Sequence, residues 1–128
     1  MERVIVKIGD RKIPLRFRMR EFKQIEEEIG PFMEVRNMII KGKNRIRNTI
    51  GVIRIMGNGG LKEEGQEPDL TDEWLEENMD PFSLTTYQVA VVTCLANENA
   101  SEAAKEKNEN KERDLVLEEI EEKKDPVN

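Results

Sequence analysis

Between Val4 and Gly30 the apolar residues change their period, and that change constrains the fold more than anything else in the chain. Val4, Val6 and Ile8 recur at every second position. Gly9-Asp10 follows, with Gly9 free to take a positive φ in a tight turn. Ile13, Leu15 and Phe17 then alternate with Lys12, Arg16 and Arg18, so a second strand has one dry and one wet face. From Phe22 the spacing becomes helical: Phe22, Ile25 and Ile29, with Glu26 to Glu28 between them. Pro14 cannot donate to a ladder, so it should face an edge or a bulge. A lone hairpin is marginal in water, and helices must cover its dry face.

The rest of the chain supplies those helices. Gly30 ends the first and Pro31 can open the next. Phe32, Val35, Met38 and Ile39 form a second stripe that ends near Gly42. Ile46, Ile50, Ile53 and Met56 form a third, which Gly57-Asn58-Gly59-Gly60 is expected to terminate. Residues 58–70 then read as a mobile surface loop. Thr71 is an expected N-cap, with Asp72 and Glu73 in the first turn, where the helix dipole favours them. Trp74, Leu75 and Met79 give this short helix its apolar side. Asp80-Pro81 reads as a cap with proline at the first helical position. Leu84, Tyr87, Val91, Val92 and Leu95 make the last core helix. The expected fold class is α+β: an N-terminal β-hairpin packed on a small bundle of about five helices over residues 1–98. A charged tail, 99–128, is expected to be flexible or partly helical.

Composition narrows the function classes. The 128 residues suffice for one core, but 38% are charged and 5% aromatic, so part of the chain should stay outside it. Histidine is absent, which removes the commonest general base and transition-metal ligand. No cofactor or metal is expected, and an enzyme would have to work with carboxylates or lysines alone. The single cysteine, Cys94, lies in an apolar run and reads as a buried structural thiol. Residues 1–60 carry a balance of +7 and residues 61–128 one of −13. Such asymmetry fits an interaction tail or attraction between the halves. No apolar run approaches a membrane span and no signal pattern opens the chain, so a cytoplasmic setting is expected.

Four clusters merit weighing. Glu26 to Glu28 and Glu63/Glu64 are acidic, but such runs on helices and loops are ordinarily solvated. Lys41, Lys43, Arg45, Arg47 and Arg54 form a basic strip. It reads as a solvated helix face, or a surface for an acidic protein partner, rather than a phosphate track, because no aromatics interleave it, no helix-turn-helix pattern is present and the chain is acidic overall. The glycines at 57, 59 and 60 lack a phosphate-loop pattern and read as a helix stop. In the tail, Leu115, Val116, Leu117 and Ile120 sit among acidic residues. They read equally as a weak helix docking on its own domain and as a segment that folds on a partner.

The opening block resembles the phage tail assembly chaperone family of long-tailed phages and prophages, in the version associated with Gram-positive hosts. The resemblance lies in the hairpin, in Ile13-Pro14-Leu15-Arg16-Phe17-Arg18-Met19-Arg20, and in Phe22-Lys23-Gln24-Ile25-Glu26-Glu27-Glu28-Ile29-Gly30. Asp80-Pro81-Phe82-Ser83 and the closing Asp114 to Glu121 extend it. The chain departs from the family in its Ile-rich third stripe ending Met56-Gly57-Asn58-Gly59-Gly60-Leu61, where members often have an aromatic or Leu-rich helix ending Gly-Leu. The resemblance implies a non-enzymatic chaperone that binds the tape measure protein, the tail tube protein or both. It would act in the host bacterial cytoplasm and be absent from the mature virion. Many members are also made in a longer, frameshifted form, to which this chain would be the short counterpart. On the residues alone, the binding surface falls to Leu115, Val116, Leu117, Ile120, Arg45, Arg47 and Arg54. Self-association is left open, and no membrane partner is expected. The alternative is a small nucleic-acid-associated regulator using the basic strip 41–54.

Overall fold

Gly9 adopts φ +61° while Asp10 keeps a negative φ, the pattern of a type II′ hairpin turn with glycine in its first central place. The computed structural model describes residues 3–97. The turn joins β1 (Ile5–Ile8) to β2 (Arg11–Pro14), paired antiparallel with Val6 opposite Ile13 and Ile5 opposite Pro14. β2 thus starts and ends earlier than the alternation of Ile13, Leu15 and Phe17 suggests. The two-residue turn sets the register, which brings Arg11 and Lys12 into the ladder. Beyond Pro14 one further bond forms, from Leu15 N–H to the Val4 carbonyl (2.9 Å). Phe17 then leaves the sheet and stacks on Phe32, with ring centroids 5.4 Å apart.

Among the described residues five α-helices follow: α1 (Met19–Glu28), α2 (Phe32–Ile40), α3 (Arg45–Glu63), α4 (Asp72–Asn78) and α5 (Leu84–Asn97). A 3₁₀ turn, Pro81–Ser83, precedes α5. The α+β hairpin-and-bundle expectation therefore holds for the described residues. The expected tail, 99–128, lies outside them.

α3 is the longest of the described elements and corrects the reading of Gly57 to Gly60. It does not stop at the glycines but runs through them to Glu63. These glycines permit close approach. A Cβ at Gly57 would lie 2.9 Å from Ile13 Cγ2, and one at Gly59 would lie 2.4 Å from Glu21 Oε2. The β2 backbone and the α1 side chains thus come nearly into contact with the α3 main chain. Glycine costs about 1 kcal/mol per residue inside a helix, so α3 depends on packing rather than propensity. That packing is extensive: α3 abuts β2 and all four other helices.

The segment after α3 is also tied down, contrary to a mobile loop over 58–70. Asn58 donates its side-chain amide to the Leu70 carbonyl (3.1 Å) and accepts from Leu70 N–H (2.9 Å). Leu70 itself is buried in the core.

Other joints behave as local chemistry suggests. Thr71 Oγ1 accepts from Trp74 N–H (3.0 Å) and caps α4. Cys94 is buried. Ile39, near the C-terminal end of α2, offers its carbonyl to two buried side chains: Thr49 Oγ1 of α3 (3.3 Å) and Gln88 Nε2 of α5. Helix-end carbonyls lack intrahelical donors, and here those donors tie three helices together.

Candidate partner interface

Among the described residues, the hairpin has one covered edge and one open edge. Because Leu15 bonds to Val4, the bonded pairs alternate along the ladder. Val6 and Ile8 face β2, while the N–H and C=O groups of Ile5 and Lys7 point away from it. The same alternation turns the Pro14 nitrogen away from β1, so the missing donor costs the ladder nothing. On the far side of β2, α3 closes in: Arg16 N–H donates to the Met56 carbonyl (3.0 Å). Among the described residues, no backbone bond covers Ile5 and Lys7 on the outer side of β1. Ile5 is also 56% exposed, and Lys7 and Lys12 face each other across the ladder on that outer surface. Such an edge is a ready template for an added strand.

A second exposed apolar feature adjoins the aromatic cluster. Phe22 packs 5.0 Å from Phe32 and 6.0 Å from Phe17. Met19 and Met33, chain neighbours of this cluster on α1 and α2, are largely exposed. A shallow open hollow at the end of α2 is lined by Glu34, Asn37, Met38, Lys41 and Gly42.

The basic strip does not form one surface. Arg54 is held inward: its Nε donates to Asp72 Oδ1 (2.8 Å) and its Nη2 to Glu28 Oε1 (2.8 Å). It clamps the end of α1 to the start of α4. Hydrogen bonds from Gln24 and then Arg54 hold the Glu28 carboxyl below its ordinary pKa, and slight burial opposes them. Arg45 is half-buried and Arg47 exposed. They lie about 200° apart around α3, so they point to different sides. Ile46, between them, is exposed. Leu115, Val116, Leu117 and Ile120 lie outside the described residues.

The acidic clusters have structural partners. Glu26 Oε2 accepts from Phe32 N–H (2.7 Å) at the start of α2. Glu63 pairs with Arg3 and, at 3.8 Å, with Arg16. Among the described residues no group of three carboxylates or thiols is placed to hold a metal ion. None of their helices is long and apolar enough to cross a membrane.

Sequence reasoning missed Glu21, which is almost wholly buried. Its Oε1 accepts from Arg18 N–H (2.9 Å), and Arg16 Nε lies 3.6 Å away. This is the returning half of a capping box, in which the residue three places into a helix reaches back to the cap. The spacing Arg18-x-x-Glu21 was the available signal. Arg16, which lies against both Glu21 and Glu63, joins the start of α1 to the end of α3.

Compared with protein-family models, with curated proteins and with solved structures, the chain matches none. Its class is therefore defined by its own geometry: an α+β domain with a hairpin whose inner edge is fixed to a central helix and whose outer edge, among the described residues, takes no backbone bond.

Proposed function

We propose that the chain is a tail assembly chaperone, a non-enzymatic protein that binds the tape measure protein, the tail tube protein or both during phage tail morphogenesis. It works in the host bacterial cytoplasm and leaves before the virion is complete. The observation that carries this reading is the block from Val4 to Gly30. Its residue pattern resembles that family's, and its chain course is the hairpin running into a helix that the resemblance implies.

The open β1 edge supports the reading. Main-chain pairing at Ile5 and Lys7 gives affinity without disturbing the core, and such short contacts release readily. Arg54, by contrast, spends its guanidinium on Glu28 and Asp72, which leaves the basic strip poorer as a phosphate track.

The test is co-expression with the tape measure and tail tube proteins of the same genome, followed by co-purification at low salt. At least one should travel with the chain on size exclusion. If neither does, the reading fails. A parallel titration with duplex DNA should show no binding; binding that falls steeply as salt rises would favour the nucleic-acid alternative.

A further inference from the structure

Phe82 is the most exposed large apolar residue described, at 97%. It is nevertheless not loosely held. Asp80 caps the turn twice: Oδ1 accepts from Phe82 N–H (3.1 Å) and Oδ2 from Ser83 Oγ (3.0 Å). Asp80 N–H in turn donates to the buried Tyr87 hydroxyl oxygen (2.9 Å), and Ser83 N–H to the Asp80 carbonyl (2.9 Å). Pro81 removes one more degree of freedom. The turn is thus braced against α5, and it presents a bare aromatic ring to solvent.

The stretch of chain that holds it carries one sign of charge. Residues 63–97 contain nine Asp or Glu and not one Lys or Arg. Several of the nine are neutralised by the other half of the chain: Glu63 by Arg3 and Arg16, Asp69 by Arg11, Asp72 by Arg54. Glu73, Glu76 and Glu77 on exposed α4 positions make no ion pair among the described residues. Asp80 stands between them and Phe82 in the sequence.

We infer that Phe82 is a preformed anchor that inserts into an apolar pocket of a protein partner, with Lys or Arg around the pocket meeting Glu73, Glu76 and Glu77. Binding energy concentrates in a few buried aromatics ringed by polar contacts, and an anchor already fixed loses little entropy on docking. The acidic skirt selects a cationic rim and speeds encounter. The inference rests on the proposed client-binding role and names the surface that performs it.

The experiment measures the affinity of the full chain for whichever tail protein it co-purifies with, by calorimetry. Phe82→Ser should weaken binding about tenfold or more, while Phe82→Leu retains most of it. Glu76→Gln with Glu77→Gln should flatten the salt dependence. Since these side chains are exposed, thermal melts should not move. If the parent chain binds and Phe82→Ser binds equally well, the anchor is wrong and the client reading stands. If the parent chain binds neither client, both fall. Sedimentation of the chain alone gives the other arm: self-association abolished by Phe82→Ser would make the occupant a second copy and overturn the cationic-client assignment.

Discussion

Gly60 lies so close to Pro14 that a Cβ added to it would stand 1.9 Å from the Pro14 carbonyl oxygen. A side-chain clash can be relieved by a rotamer change, whereas this one is with backbone. Gly60→Ala should therefore destabilise the fold even though alanine favours helix by about 1 kcal/mol. Overpacking of this kind costs about 1–3 kcal/mol or more, and we expect a net loss of about 2 kcal/mol. Urea unfolding followed by circular dichroism reads it. A neutral or stabilised variant would mean that β2 and α3 separate more easily than their contact suggests.

Asn58 substitutes for a strand partner at Leu70. Asn58→Ala leaves both polar groups of a buried residue without their partner, at about 1–3 kcal/mol. Asn58→Asp keeps the acceptor and loses the donor, so it should fall between the parent and Asn58→Ala. The Leu70 amide should exchange with solvent much faster in Asn58→Ala. An unchanged exchange rate would show that the segment after α3 is held by other contacts.

The Arg54 clamp predicts a pH dependence. Glu28 has a folded-state pKa below its ordinary value of 4.5, because Gln24 and Arg54 hydrogen-bond its carboxylate. Its stabilising contribution is therefore fully present above that ordinary value and is lost as pH falls through the lower, folded one. Arg54→Met should cost about 1 kcal/mol near neutrality, a modest figure because both carboxylates are substantially solvated. The gap between variant and parent should close in acid. Thermal melts at pH 7 and pH 3 test this, and a gap that widened in acid would contradict it.

Amide exchange should separate the two sides of β1. Val6 and Ile8 bond across to β2, and Ile5 and Lys7 do not. We expect the outer pair to exchange about tenfold faster or more in the free chain. They should slow when a client adds a strand. Equal protection in the free protein would mean that the edge is already occupied.

What could be read beforehand was what depends on near neighbours. The Thr71 cap bonds three residues on, and the Asp80 cap two and three residues on. Gly9 in its turn and the helical stripes were legible for the same reason. The Gly57 to Gly60 run was not, because a glycine that ends a helix and one that admits a neighbour are the same letter. The neighbours that decide between them, Ile13 and Pro14, are distant in sequence. Arg54 was misread likewise: its partners lie 26 and 18 residues away, so its charge looked available when it is spent. Phe17 was assigned to the strand because alternation favours it, yet two other rings drew it off the sheet.

The position of α3 against β2 and the four other described α-helices limits how this body can change shape. Among the described residues, loosening β2 or any of the other four α-helices removes support from the keystone they share. Under the proposed function, a client would therefore be gripped and dropped by the rim of a body that keeps its shape.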